Sequence, residues 1–408
     1  LYSTRKGDEI HRLLMETRDR LERLTDEEHA DVVRGLSVSA EPFHDSVEEF
    51  RAAVDSTIAH RHGDRDLAIA SYRGLRRPSE NGFVEAAAGE ALIYHERYSD
   101  GLALTEPWQR YCSGAQNDTM GAVNLAHCLS IVALGKHGQG RLDEADRVVD
   151  RAVTALSQRG LGDRPQLAIA TLPAGWVAWE RGELDAAAAV VERSIGPIRR
   201  LGELPAELLA CMLAARINSS RGNSKAAYAD LDAALVPDGP HRVPPHFVDW
   251  ITLERARIAL IFGDVDYAVM AIPDWERRLV DGTASTREHL VLVRMALAAG
   301  MRTSATEHPR LPEGAEPTPA AEIEIRKLAA LAAVAFGDEE SALDELTAAV
   351  AVAAHTGHRQ TLLDDARTFG HLLDNAGARN RVPLRRYDSG PSTRPAHADG
   401  RLLADPLT

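Results

Sequence analysis

The sequence predicts an all-α chain, an α-solenoid of about eight helix pairs. Three observations predict it. A hexapeptide of form G-x-x-x-x-A recurs as GDRDLA at Gly63, GRLDEA at Gly140, GELDAA at Gly182, GNSKAA at Gly222 and GDVDYA at Gly263, then as GMRTSA at Gly300 and GDEESA at Gly337. Apolar residues recur at helical spacing between these marks, as in Leu142, Val148, Val149, Val153 and Leu156. Strand-like alternation is nearly absent. A period of about 40 residues marks an array in which each unit buries its apolar face only against its neighbours.

The physics of one unit follows from the hexapeptide. A first helix ends at the Gly, which tolerates the positive φ of a helix C-terminus. Acidic residues then open the second helix, whose N-terminal end carries partial positive charge. The Ala five positions on is small enough for two helices to approach closely. A second small-residue column stands seven positions before the Gly, at Ala133, Gly175, Ala215, Ala256, Val293 and Ala330. The interval between Gly63 and Gly140 has room for one further unit, and DGLALTE around Gly101 fills it, with Glu106 where Ala is expected.

Taken along the chain, residues 1–43 read as a helical lead-in, with Ile10, Leu13, Leu14, Leu21 and Leu24 as its apolar stripe. Residues 44–376 are the repeat array. Residues 377–408 are rich in Pro, Gly, Arg and Asp without periodicity and read as a flexible linker. Pro173 and Gly175 fall inside the helix expected over 165–181, which either kinks there or starts after the proline.

Composition narrows the function. The chain has 408 residues and 47 Lys+Arg against 61 Asp+Glu, a formal charge of −14, which argues against nucleic acid as its main ligand. Its three cysteines, Cys112, Cys128 and Cys211, are far apart and odd in number, as expected of free thiols in the cytoplasm. No apolar run approaches the roughly 18 residues of a membrane span, so no membrane contact is expected. The chain begins with Leu1, so a fragment of a longer protein is expected. No HExxH, CxxC or G-x-S-x-G occurs, and GKHGQG at Gly135 lacks the Ser/Thr of a phosphate loop and reads as a turn. The close histidine pairs His60/His62 and His355/His358 read as exposed helix ends rather than metal ligands. No enzyme activity, metal or cofactor is expected of this chain.

The Gly/Ala register resembles the tetratricopeptide repeat (TPR) with a lengthened unit. In that form it is similar to the sensor domain of the MalT-like regulators, LuxR-type activators of the STAND ATPase class. Residues 324–377, EIRKLAALAAVAFGDEESALDELTAAVAVAAHTGHRQTLLDDARTFGHLLDNAG, resemble the last repeat and cap of that family. WVAWERGELDAAAAVVERSI, residues 176–195, resembles one of its units. The family's cap usually reads E-G-y-x-R-x-F, from which HTGHRQTLL departs. The resemblance implies an ATPase region, with its ATP and Mg, upstream of residue 1. It implies a DNA-binding helix-turn-helix beyond Leu407–Thr408, where the family's L-T-x-R-E would begin.

The resemblance also supplies candidate lining positions on the first helix of each pair, 13, 10, 6, 3 and 2 residues before the Gly. At −6 stand His95, Leu134, Trp176, Arg216, Arg257 and Arg294; at −3 stand Tyr98, His137 and Trp179 among others. His127, Ile169, Leu209, Trp250 and Arg287 stand at −13, and Glu180 and Ser220 at −2. Indoles suit the C–H faces of a sugar, and Arg, Glu and His suit its hydroxyls. The candidate ligand residues are therefore Trp176, Trp179, Glu180, Arg216, Trp250, Arg257, His137, His95 and Tyr98. The alternative for the tryptophans is packing between units, and for the arginines rim salt bridges. The expected function is an effector-binding sensor domain that takes a small carbohydrate, a di- or oligosaccharide. A peptide- or protein-binding adaptor or scaffold is the alternative.

Overall fold

A computed structural model describes residues 7–23, 47–75, 78–79, 82–115, 119–162, 164–236, 243–281, 284–382 and 384. Every regular element among them is a helix, and consecutive helices pack as antiparallel pairs in the manner of a TPR-like solenoid. All seven glycines of the hexapeptide have positive φ, between 66° at Gly63 and 82° at Gly222 and Gly337. The hexapeptide alanines Ala68, Ala145, Ala187, Ala227, Ala268 and Ala342 are buried, as are Ala133, Ala215, Ala256, Val293 and Ala330 of the second column.

The chain divides into two compact units. Unit 1 comprises residues 1–177, 185–213 and 233–247; unit 2 comprises 178–184, 214–232 and 248–408. Unit 1 carries α1 (Gly7–Arg23), α2 (Val47–His62), α3 (Arg65–Gly74), α4 (Phe83–Tyr94), α5 (Tyr98–Ala115), α6 (Thr119–Gly138) and α7 (Leu142–Ser157). Its main core joins Trp108, Leu125, Leu129, Val149 and Leu156. Five helices contribute residues to both units: α8 (Gln166–Glu180), α9 (Leu184–Leu201), α10 (Leu204–Ser220), α11 (Ser224–Leu235) and α12 (Pro245–Phe262). Pro173 lies inside α8, so the helix begins before the proline rather than after it.

Unit 2 continues with α13 (Val265–Ala271), α14 (Trp275–Asp281), α15 (Thr286–Ala298), α16 (Ser304–Glu307), α17 (Pro319–Ala335), α18 (Glu339–Thr356), α19 (Arg359–Leu363), α20 (Ala366–Phe369) and α21 (His371–Arg379). Two of its repeats depart from the regular pattern. The second helix after Gly263 is interrupted at Asp274, which has φ 55°. The second helix after Gly300 shrinks to the single turn α16, closed by a Thr303–Thr306 capping box. The prolines Pro309 and Pro312 that follow supply no backbone donor to continue it. Acidic N-caps do hold here: Asp264 and Asp338 accept from Tyr267 N and Ser341 N. α21 carries regular structure to Arg379, past the boundary expected at 376. Residues 24–46 and 385–408, where the rest of the lead-in and most of the linker were expected, lie outside the described residues.

The unit expected around Gly101 is registered differently. The positive φ of that turn falls on Glu96, at 62°. Gly101, five positions on, occupies the column that is Ala elsewhere. It lies inside α5 against α4, and a Cβ there would stand 2.5 Å from the Gly89 carbonyl oxygen. Counting back from Glu96, the −6 position is Glu90 and not His95.

Candidate functional site

In unit 2, successive first helices place Arg216, Arg257 and Arg294 at the same register position, six before Gly222, Gly263 and Gly300. Each is paired with a carboxylate. Arg216 grips Glu254 through two nitrogens, Nε to Oε1 at 3.1 Å and Nη2 to Oε2 at 3.0 Å. Arg257 donates to the same Glu254 from Nη2 at 2.6 Å, and from Nη1 to Asp364 at 2.7 Å. Arg294 forms a two-pronged pair with Asp365, which also takes Lys327 Nζ at 2.7 Å. Burial alone would raise the Glu254 carboxyl, but the two guanidiniums outweigh it and hold it at about 2. Asp365 is held well below the usual range by Arg294 and Lys327, which likewise outweigh its burial.

The segment that contains α19 supplies the other half of this network. Thr361 Oγ1 donates to Glu180 Oε2 at 2.7 Å, and the Thr361 carbonyl accepts from Lys327 Nζ at 2.6 Å. Trp179 Nε1 donates to Ser220 Oγ, which donates to Asp364 Oδ1, both at 3.1 Å. Gln360 Nε2 reaches the same oxygen at 3.0 Å. The Arg216 guanidinium stacks 4.9 Å from the Trp179 ring. Burial raises the Glu180 carboxyl, against the smaller opposing pull of His358 and Thr361.

The expected ligand residues are thus distributed as follows. Trp179, Glu180, Arg216 and Arg257 come together in unit 2, but closed in rather than open: Trp179 is 1% exposed and Glu180 4%. The covering is the 358–365 segment, which the register could not reveal, because its contacts with Glu180, Ser220 and Arg257 cross more than a hundred residues of chain. Trp250 stands apart from that network, with the Arg287 guanidinium 3.8 Å over its ring. Trp176 belongs to unit 1, is 4% exposed and faces His137 with ring centroids 5.9 Å apart. His95 meets Arg65 and Tyr98 packs against Gly138. Their selection rested on the Gly101 register, which the turn at Glu96 replaces.

Unit 1 holds a second polar cluster. His60, expected as an exposed helix end, is 9% exposed in its side chain and hydrogen-bonded through Nδ1 to Glu90. His358, of the other pair, is buried as well. Tyr94 Oη donates to Glu90 at 2.7 Å, and the His127 ring lies 4.4 Å from that of His60. Burial lowers both histidines, but the carboxylates Glu90 and Glu203 reverse this for His60 and raise it to about 9. His127 falls to about 4, because its burial and the neighbouring His60 charge outweigh the pull of Glu203 and Glu90. Glu90 is lowered, the His60 charge outweighing burial.

These side chains border a cavity of about 370 Å³ of atom-free space, part of it open to solvent. Most of its wall comes from lining positions of the repeat register: His60 at −3, Glu90 and Leu134 at −6, Ser130 and Leu172 at −10, and His127, Ile169 and Leu209 at −13. Pro173 completes one side, and it has no N–H to offer the Ile169 carbonyl. The signal that could have found Glu90 was the turn at Glu96, where a non-glycine residue takes the positive φ. Glu203 stands on the link between α9 and α10, outside the lining columns.

Among the described residues no group of three or more His, Cys, Asp or Glu is placed to hold a metal ion. Cys112, Cys128 and Cys211 are buried, and burial raises the thiols of Cys112 and Cys128. No helix among the described residues is long and apolar enough to cross a membrane. No curated protein matches the chain. The family model of the MalT-like TPR region matches residues 80–379, which covers the glycine register from Gly140 to Gly337 and the α19 segment, and the chain belongs to that family.

Proposed function

We propose that this chain is the effector-sensing region of a MalT-like transcription activator of the LuxR type and STAND class. The effector is a small carbohydrate, a di- or oligosaccharide, taken up by the polar interior of unit 2. One observation carries the reading: Glu180, Ser220 and Arg257, from three successive first helices, are all hydrogen-bonded to the short stretch Thr361–Asp364. That stretch presents a hydroxyl and a carboxylate where a sugar would present hydroxyls. Trp179 lies beside them and offers a face for sugar C–H groups. A sugar that binds Glu180, Ser220 and Arg257 displaces the stretch, and its differential affinity for the displaced state is what switches the parent regulator. An ATPase module and a helix-turn-helix in the same parent chain complete the proposal, and neither ATP nor DNA binds to this region.

Calorimetric titration of di- and oligosaccharides into the chain and into Asp364→Ala tests it. One sugar binds the wild type, binds Asp364→Ala more tightly because its internal competitor is gone, and binds Trp179→Ala more weakly. No heat with any sugar in either protein overturns the reading. A second reading, capture of an acidic peptide, draws on the same contact, since the occupant is itself a peptide ending in a carboxylate. A synthetic peptide of residues 357–366 that binds Asp364→Ala, when no sugar does, selects it.

A further inference from the structure

Thr361 and Asp364 stand three residues apart on one helical turn and give the interior of unit 2 one hydroxyl and one carboxylate. The hydroxyl donates to Glu180 Oε2 at 2.7 Å. The carboxylate accepts from Arg257 Nη1 at 2.7 Å through Oδ2, and from Ser220 Oγ at 3.1 Å through Oδ1. Arg257 divides its guanidinium between two acids: Nε and Nη2 go to Glu254, Nη1 to Asp364. Glu254 is shared in turn with Arg216. When the stretch withdraws, Arg257 Nη1 loses its acceptor, and the Arg257 charge keeps only its share of Glu254. The Arg257 side chain is 15% exposed and that of Asp364 3%, so solvent screens this loss little.

The chemistry of a replacement follows from these contacts and rests on the reading of unit 2 as a sugar site. Glu180 takes a hydroxyl donor, as Thr361 provides. A neutral sugar supplies that, but at Arg257 its hydroxyl brings an oxygen without the charge that Asp364 carried. An amino sugar suits Glu180 and is repelled by Arg257. A phosphate monoester carries about −1.5 to −2 near pH 7. Its second charge meets Glu254, held by the same guanidinium, and Glu180, whose carboxyl is raised by burial and further by the Asp364 charge. A carboxylate carries one charge on two oxygens, one for Arg257 and one for Ser220, as Asp364 does. Residues three apart on a helix hold their Cβ atoms about 5–6 Å from each other, near the span across one sugar ring. Gln360, Thr361, Leu362 and Asp364 are all buried, so their withdrawal opens room for such a ring. We propose that the effector of unit 2 is an acidic sugar, a uronic acid or an oligosaccharide that ends in one. Its carboxylate replaces Asp364 on Arg257 and Ser220, and a ring hydroxyl replaces Thr361 on Glu180.

Two matched sets of probes test this by calorimetry on the whole chain and on Asp364→Ala. Glucose, glucuronate and glucose 6-phosphate differ only at C6, and digalacturonate differs from its dimethyl ester chiefly in charge. Glucuronate or digalacturonate binds Asp364→Ala about tenfold more tightly than its neutral counterpart, since charge-assisted hydrogen bonds are roughly twice as strong as neutral ones. Glucose 6-phosphate binds more weakly than glucuronate. The same acid binds the wild type about tenfold more weakly than it binds Asp364→Ala, because a tethered carboxylate competes at an effective concentration on the order of millimolar. If Asp364→Ala fails to fold, Asp364→Asn, which keeps the shape and drops the charge, takes its place. A neutral probe that binds as tightly as its acid, or glucose 6-phosphate that matches glucuronate, overturns the acidic-sugar proposal and leaves the sugar reading standing. So does silence from all these probes when a neutral oligosaccharide binds. No heat with any sugar, acidic or neutral, overturns both.

Discussion

The guanidinium of Arg257 and the carboxylate of Asp364 meet at 2.7 Å across 107 residues of chain. The same guanidinium holds Glu254, which in turn holds Arg216, so Glu254 serves two cations at once. The Glu254 side chain is 1% exposed, where solvent screens little. Removing one partner of a buried ion pair costs about 3–5 kcal/mol, because the other charge stays behind uncompensated. Glu254→Gln is therefore expected to lose stability on that order in urea unfolding. A loss below about 1 kcal/mol would show that Arg216 and Arg257 find new partners. The pH dependence has a definite sign: a carboxyl lowered from 4.5 to about 2 contributes fully above 4.5 and loses its contribution as pH falls toward 2. Glu254→Gln should accordingly flatten the acid limb of stability.

Histidines in unit 1 act at the other end of the scale. His60 rises from 6.5 to about 9, so its ion pair with Glu90 contributes in full below 6.5 and is lost as pH climbs through 9. By 1.36 kcal/mol per pKa unit this is roughly 3 kcal/mol. His127 falls to about 4, so the preference of the fold for its neutral ring is lost as pH drops from 6.5 toward 4. The groups that face them are Glu90, Glu203, Arg61 and Tyr94. Stability should decline from pH 7 to 9.5 in the wild type, and His60→Gln should remove most of that decline. Chemical denaturation at the two pH values measures it, and parallel declines in both proteins would contradict the assignment.

The fold was legible in the sequence because its determinant is local. Gly63, Gly140, Gly182, Gly222, Gly263, Gly300 and Gly337 mark their turns by backbone freedom, a property of the residue itself. Where a non-glycine residue takes the left-handed turn, the mark was lost: Glu96 stands there in place of glycine, and the reading slid to Gly101. The slip exchanged Glu90 for His95 and Tyr98. The arginine column at −6 was legible for the same local reason, but not what it faces. Asp364 and Asp365 follow α19, in a segment with no hexapeptide, and only the folded chain brings them to Arg257 and Arg294. Burial of His60 was equally invisible, since HRH at a helix end reads as solvated until Glu90 and Glu203 are placed beside it.

Gly101 makes the register testable. A Cβ at this position would lie 2.5 Å from the Gly89 carbonyl oxygen and 2.7 Å from Ile93 Cγ1. The first of these is backbone and cannot step aside. Gly101→Ala is thus expected to destabilise by about 1–3 kcal/mol, as overpacking does, although Ala favours a helix over Gly by about 1 kcal/mol. A variant as stable as the wild type would mean that α4 and α5 separate without cost, and thermal unfolding decides it.

The two ends of the glycine series separate backbone strain from crowding. Gly263, with φ 80°, has nothing within 4 Å of where a Cβ would stand, so Gly263→Ala meets only the left-handed penalty, about 1–2 kcal/mol. Gly63, with φ 66°, has Phe247 Cε2 at 2.7 Å and Pro205 Cγ at 3.2 Å from that point. The Phe247 ring is itself fully buried and packed against Tyr94, with ring centroids 5.4 Å apart, so it has little room to yield. Gly63→Ala should then cost the same backbone penalty plus an overpacking penalty of about 1–3 kcal/mol. Phe247→Leu in the Gly63→Ala background should recover part of the second component and none of the first. Urea unfolding of the two single variants and the double variant resolves the components, and equal losses for Gly63→Ala and Gly263→Ala would show that Phe247 gives way freely.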